Sequence, residues 1–358
     1  MLWLVPAALS ADIDAWVRPS AEAVVRPDAI PEDQLQVGTS AANAGLVVTG
    51  DASETVSGTV YLLLSRDVVE AVTAVSAVDQ DNNGSIDGVA TSTRSVASSL
   101  VREASLTWAP TESLALKGGH MPIPFTSQSQ SADTALLFAT RSGPTSEFIA
   151  DDDLGVLALG SLVDVATVQG GAFLGSASGE HLPAGTRGGL YLARVDVHPL
   201  GDFDFDETVG VDQPLRIGLG AGLAWHPYVG FDTAGYEAIR VNDVRAAGSA
   251  RIGVAGFSAG AEVLWREETN DLNHRPNEAL GGYLQAGFHS AVGLEPVVRI
   301  GLTEEDRSFD TRRTRWLDIG ANWYASERVK LSAQYLGEHR LTEGELAHGG
   351  RLALQAEL

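Results

Sequence analysis

The chain has 358 residues, no Cys, and 47 acidic against 24 basic side chains, for a formal charge of −23. Zero Cys excludes a disulfide framework and thiolate metal sites, and a pI near 4.6 argues against a nucleic-acid partner. Hydrophobic residues make up 44% of the chain but are scattered; no run approaches the ~18 apolar residues of a membrane helix, which excludes a helical membrane protein.

The chain opens on an apolar run from Leu2 to Leu9. Small residues at Ala8 and Ala11 fit a signal-peptidase site before Asp12. Residues 1–11 are therefore expected to be the remnant of an export signal and residues 12–358 a single mature unit; an ordinary apolar strand is the alternative. A chain without Cys suits an oxidising compartment, where free thiols are a liability.

Asp79 to Gly88 reads DQDNNGSIDG, which matches the first nine positions of a calcium-binding loop. Oxygens of Asp79, Asp81, Asn83 and Asp87 can converge because Gly84 permits the sharp turn. The twelfth position is Ala90 where a bidentate Glu is needed, so a solvated acidic turn stands beside a calcium-stabilised outer loop. No other cofactor is expected.

Along the chain the dominant hydrophobic period is two, not 3.6. Leu215, Ile217, Leu219, Ala221, Leu223 and Trp225 alternate with Arg216 and three glycines. Leu317, Ile319, Ala321 and Trp323 alternate with Asp318, Gly320 and Asn322; Val329 to Leu336 and Arg351 to Leu358 repeat the zigzag. Such alternation puts one face in an apolar medium and the other in a polar one. The segments are about ten residues long, enough for a tilted strand to cross a bilayer.

Connectors alternate between short turns and long polar loops, giving about 16 strands, as in a transmembrane antiparallel β-barrel with short periplasmic turns and long extracellular loops. Trp108, Trp225, Trp265, Trp316, Trp323, Tyr324 and Tyr335 flank turns or loops, as interfacial girdles do. A soluble all-β fold also explains the alternation, but it does not require strands of this length throughout. Two long connectors stand out. Residues 123–153 form the third long loop and are the candidate constriction. Residues 198–213 are long and acidic where a short turn is due.

The polar faces give the expected pore lining: Lys117, Arg194, Asp196, Arg216, Glu262, Arg266, Arg299, Asp318, Asn322, Lys330, Gln334, Arg351 and Gln355. Both signs occur, which implies a mixed field across the lumen, while acidic loops set the potential at the mouth and favour cations modestly. Gly256 to Gly260 reads G-x-S-x-G, the nucleophile elbow of α/β-hydrolases, with Ser258 as nucleophile. The elbow requires a following helix, whereas Ala261 to Arg266 can alternate as a strand. The His residues form no pair at metal-ligand spacing.

Residues 102–125 (REASLTWAPTESLALKGGHMPIPF), 152–160 (DDLGVLALG), 281–302, 319–339 and 351–358 resemble the O- and P-type phosphate-selective porin family of Gram-negative outer membranes. The resemblance covers about two-thirds of the chain and is strongest near its end. It implies a trimer of 16-stranded barrels with an inward third loop, set in outer-membrane lipid and lipopolysaccharide. Two departures stand out. Lys117 and Lys330 are the only lysines, so phosphate specificity is not implied, and the last residue is Leu358 where Phe is usual. The expected function is a porin passing small hydrophilic solutes or ions, not an enzyme. The alternatives are a secreted or cell-surface all-β binding protein and an α/β-hydrolase using Ser258.

Overall fold

The computed structural model describes residues 10–25, 35–53, 55–65, 73–78, 88–92, 101–148, 152–162, 165–175, 187–201, 203, 206–231, 238–271, 276–307, 310–326, 328–342 and 344–357. In chain order the strands are β1 (Ser10–Val25), β2 (Leu35–Ser53), β3 (Val56–Ser65), β4 (Thr73–Val78), β5 (Gly88–Ser92), β6 (Val101–Thr111) and β7 (Leu114–Met121). Two short helices follow, α1 (Ser127–Gln130) and α2 (Gly143–Phe148). Then come β8 (Asp153–Leu162), β9 (Ala166–Phe173), β10 (Arg187–Gly188), β11 (Leu190–Val197), β12 (Arg216–Phe231) and β13 (Ala238–Val254). The chain ends with β14 (Phe257–Asn270), β15 (Asn277–Phe288), β16 (Leu294–Arg307), β17 (Asp310–Ser326), β18 (Val329–Arg340) and β19 (Glu345–Glu357).

All of these strands except β4 and β5 belong to one antiparallel sheet; β4 and β5 make a separate hairpin. The large sheet has 17 strands. Of these, β10 and β11 hold the same register on β12 (Gly188↔Tyr228, then Tyr191↔Trp225) and are one stave interrupted at Gly189. Sixteen staves result among the described residues. The ring closes where β19 pairs with β1, from Trp16↔Glu357 to Val25↔His348. Closure leaves no sheet edge, which a hydrocarbon surrounding demands of backbone N–H and C=O groups.

Alternation along the staves separates the two faces. On β12, Leu219, Leu223 and Trp225 are exposed while Gly222, Ala224 and His226 are buried. On β15, Leu280 and Leu284 point out while Tyr283 and Gln285 point in. Large apolar side chains stand bare around the outer surface, among them Leu223 at 60%, Val263 at 59% and Leu352 at 64% exposure. An apolar belt this extensive is a lipid-facing surface. Trp108, Trp225, Trp323 and Tyr335 lie exposed on it as expected. Trp316 and Tyr324 depart from the girdle reading. They share the inward parity of Asp318 and Asn322; the Trp316 ring lies against Gly143, and the Tyr324 hydroxyl donates to Glu295.

One mouth carries tight turns, two of them closed by left-handed glycines, Gly256 (φ 83) and Gly293 (φ 77). At the other mouth several strands run on into stretches that read as loops. β16 reaches Arg307 and β17 resumes at Asp310, because rim charges such as Glu304 and Arg313 (2.8 Å) face each other across the ladder. The connection from β11 to β12 remains the exception. It leaves the tight-turn mouth and folds inward, burying Phe203, Glu207 and Val209.

Candidate pore and its inward loop

Between β7 and β8 the chain enters the barrel. Its polar sequence tolerates burial because it satisfies itself. Thr126 caps α1, accepting from the Ser129 N–H at 3.0 Å while the Ser129 hydroxyl accepts from the Thr126 N–H. Gln128 ties the two limbs, its Oε1 accepting from the Ser142 N–H at 2.8 Å and its carbonyl from Arg141 Nε at 3.1 Å. Apolar residues then anchor it. Ile123, Phe125 and Phe148 pack with Leu157, Phe173, Leu190, Leu192 and Leu264 from the wall, and Leu137 and Phe138 pack with Val297. Each such side chain contributes about 1.5–3 kcal/mol when fully buried. Both faces of β8 are consequently apolar, with Val156 outside and Leu157 inside.

Polar residues of the wall also grip the loop by its backbone, several of them on the strands that carry the apolar anchors. Arg194 Nη1 donates to the Phe125 carbonyl at 2.8 Å, Arg245 Nη1 to Phe148 at 2.8 Å, and Arg299 Nη1 to Thr140 at 2.9 Å. Each guanidinium is neutralised by a carboxylate: Asp196 at 2.6 Å, Asp243 at 2.6 Å and Asp318 at 2.7 Å respectively. The Arg299 guanidinium also lies over the Phe138 ring, 4.3 Å from its centre. Glu262 accepts the Ser127 N–H at 2.7 Å, and Gln334 accepts that of Ala139 at 3.2 Å. Asn322 donates to the Leu137 carbonyl at 2.8 Å, Lys330 to that of Leu136 at 2.9 Å, and Gln355 to that of Thr134 at 3.3 Å.

The expected pore residues thus fall into two groups. Arg194, Asp196, Glu262, Arg299, Asp318, Asn322, Lys330, Gln334 and Gln355 face inward but are buried beneath the loop. Lys117, Arg216, Arg266 and Arg351 are inward and half-exposed. Lys117 pairs with Glu103 at 2.5 Å, and Arg266 with Glu268 at 2.6 Å. Around Lys117 the inner faces of β3, β6 and β7 stay half-exposed at Thr59, Tyr61 and Thr107, facing away from outward Val60, Leu106 and Leu116.

Toward the long-loop mouth a cavity of about 570 Å³ opens above the loop. Five carboxylates line it (Glu147, Glu268, Glu278, Glu305, Glu338) against four guanidiniums (Arg266, Arg312, Arg313, Arg340), so its field is mixed with a slight acidic excess. Burial on α2, reinforced by Glu305 and Glu338, pushes the Glu147 carboxyl up to about 7.

Sequence reasoning passed over Asp243 and Arg245, which sit in a stretch read as loop, and Glu207 and Glu295, which sit in or beside turns. Gly256 to Gly260 closes the β13–β14 hairpin and starts β14; no helix follows, so the elbow geometry is absent and Ser258 is a buried strand residue. Asp79, Asp81, Asn83 and Asp87 lie outside the described residues, as does the segment 1–9.

A closed antiparallel barrel with a bare apolar belt and an inward loop is the fold of the outer-membrane β-barrel proteins of Gram-negative bacteria. No protein-family model matches the chain, and no curated protein does. Among solved structures it is similar to an anion-selective porin from Comamonas acidovorans (TM-score 0.67, 11% identity, 98% of this chain and 100% of that one). It is also similar to OprB of Pseudomonas putida (TM-score 0.62, 9% identity, covering 97% and 94%). A loop-deletion mutant of OmpT, an outer membrane protein of Vibrio cholerae, aligns at TM-score 0.60 and 14% identity, covering 97% and 99%. At these identities the likeness is one of fold.

Proposed function

We propose that the protein is an outer-membrane porin, a water-filled path for passive diffusion of small hydrophilic solutes or ions. The observation that carries this reading is the half-exposed inner strip on β3, β6 and β7, opposite a wall on which the inward loop is clamped. In this reading residues 123–153 are the constriction, Lys117, Arg216, Arg266 and Arg351 line the aqueous route, and the buried inward residues hold the loop. The acidic excess of the vestibule and the net charge of −23 support a modest preference for cations at the entrance.

Kinship with the O- and P-type porins, a homotrimeric assembly and an export signal ending before Asp12 belong to the same proposal. Phosphate preference does not: of the two lysines, Lys330 spends its ammonium on the Thr134 and Leu136 carbonyls. Calcium binding at Asp79, Asp81, Asn83 and Asp87 is a further proposal, tested by calorimetric titration of the folded protein. The pore itself is tested in planar bilayers and by liposome swelling with sized sugars and with phosphate. Stepwise ohmic currents, a sharp size limit and a reversal potential of cationic sign are expected. Absence of conductance steps from folded protein, or strong anion selectivity, contradicts the reading in its two parts.

A further inference from the structure

We infer that the connection between β11 and β12 is an internal strap, entering from the tight-turn mouth, that sets the bore by holding the inward loop from below, with Glu207 as the positioning residue. The inference rests on the pore reading above and extends it to a segment that reading leaves without a role.

The strap is seated on the wall first. Phe203 packs over Gly218 and Gly253, where a Cβ would crowd its ring, and the Arg251 guanidinium lies 4.8 Å from the centre of that ring. Val209 covers Gly253 from the other side. The Thr208 hydroxyl and the Tyr324 hydroxyl are 2.9 Å apart, and Tyr324 donates in turn to Glu295 at 2.8 Å. These contacts fix the segment against β12, β13, β16 and β17.

From that seat one residue reaches the loop by three hydrogen bonds. The Glu207 N–H donates to the Ala135 carbonyl at 3.0 Å. Its carboxylate accepts from the Leu137 N–H at 2.7 Å and from Gln128 Nε2 at 2.9 Å. Gln128 belongs to α1, Ala135 and Leu137 to the following limb, so Glu207 pins both limbs at once. Glu207 is 8% exposed, and charge-assisted bonds of this kind are the stronger class. The wall clamps act on the loop sideways; the strap acts from the opposite mouth and blocks its descent. It also fills space beneath the clamped loop along β12, β13, β16 and β17.

The test uses the absence of Cys from the chain. Glu207→Gln places an amide N–H₂ where two donors converge, and Glu207→Ala removes the carboxylate. Both are expected to keep the heat-modifiable migration of a folded barrel while raising open-channel noise and admitting larger sugars in liposome swelling. An Ala135→Cys/Glu207→Cys double variant guards against variants that misfold. Oxidised, the disulfide replaces the tie and the currents match the parent; reduced in the same bilayer, the same molecules turn noisy and wider. Failure of the disulfide to form, or identical currents in both redox states and in the single variants, overturns the strap. Absence of current from the parent protein overturns the pore reading instead.

Discussion

The two walls of the barrel lumen are made from the same alternation and end in different states. Beneath the inward loop, on β11 through β19, the inward side chains are charged and dry: Arg194, Glu262, Arg299, Asp318 and Lys330 are each 7% exposed or less. On β3, β6 and β7 the inward side chains are mostly hydroxyls around one ion pair, and apart from Ser105 and Met121 they remain half-exposed. The difference lies in what covers them. An arginine facing a lumen solvates in water if the space is empty, but becomes a clamp when a backbone carbonyl arrives with a carboxylate beside it. Charge in a barrel interior therefore marks either the water route or the support for whatever narrows it, and only the packing tells which.

The largest expected effect separates the walls by stability. Removing one member of a buried pair strands the other, a loss of about 3–5 kcal/mol. Arg299→Ala, which leaves Asp318 buried and frees the Thr140 carbonyl, should show a loss of that size in denaturant unfolding of the folded barrel, followed by gel migration. Lys117→Ala, on the half-exposed wall, should change it by less than about 1 kcal/mol, the scale of a solvent-accessible ion pair. Equal losses at the two positions would erase the distinction.

Asn322→Ala comes next. Asn322 donates to the Leu137 carbonyl and to Glu295 and accepts from Ser332 at 2.8 Å, so its loss leaves buried groups unpaired at about 1–3 kcal/mol. Single-channel records should become noisier without a change in ion selectivity. A selectivity change with quiet currents would place Asn322 in the water route instead.

The smallest effect concerns the vestibule. Burial raises the Glu147 carboxyl to about 7, so it is neutral below that pH and negative above it. Cation preference, read as reversal potential in a salt gradient, should increase as pH rises through about 7, and Glu147→Gln should flatten that step. Because the folded state holds the proton more tightly than the unfolded chain, the linked stability is greatest at acid pH and is lost as pH climbs from the ordinary carboxylate range to about 7. A step that survives in the Gln variant would belong to another vestibule group.

Much of the fold was legible because a bilayer imposes a strict rule: along each stave one residue in two must be apolar. Leu317, Ile319, Ala321 and Trp323 obey it, and so did their partners. The rule lapses above the membrane, where β12, β13, β16 and β17 continue as polar ladders, and there loops were expected and Asp243 and Arg245 were missed. Parity told which residues face inward but not what fills the interior, so Trp316 was placed at the lipid boundary when its ring packs against Gly143. Glu207 carried one trace in the sequence, a long acidic connector at the mouth where turns should be short. That a single carboxylate there would reach Gln128 and Leu137 depends on distances no local pattern encodes.

The contrast between the walls is tested most directly by thiol accessibility in a protein that begins without Cys. Single Cys residues placed at Thr59 or Thr107 should react rapidly with a charged, membrane-impermeant thiol reagent and block part of the current. Gln285→Cys and Gln334→Cys, beneath the loop, should stay unlabelled in the folded barrel, and the reagent should leave their currents unchanged. Labelling and block at the second pair with none at the first would put the water on the other side and contradict the account.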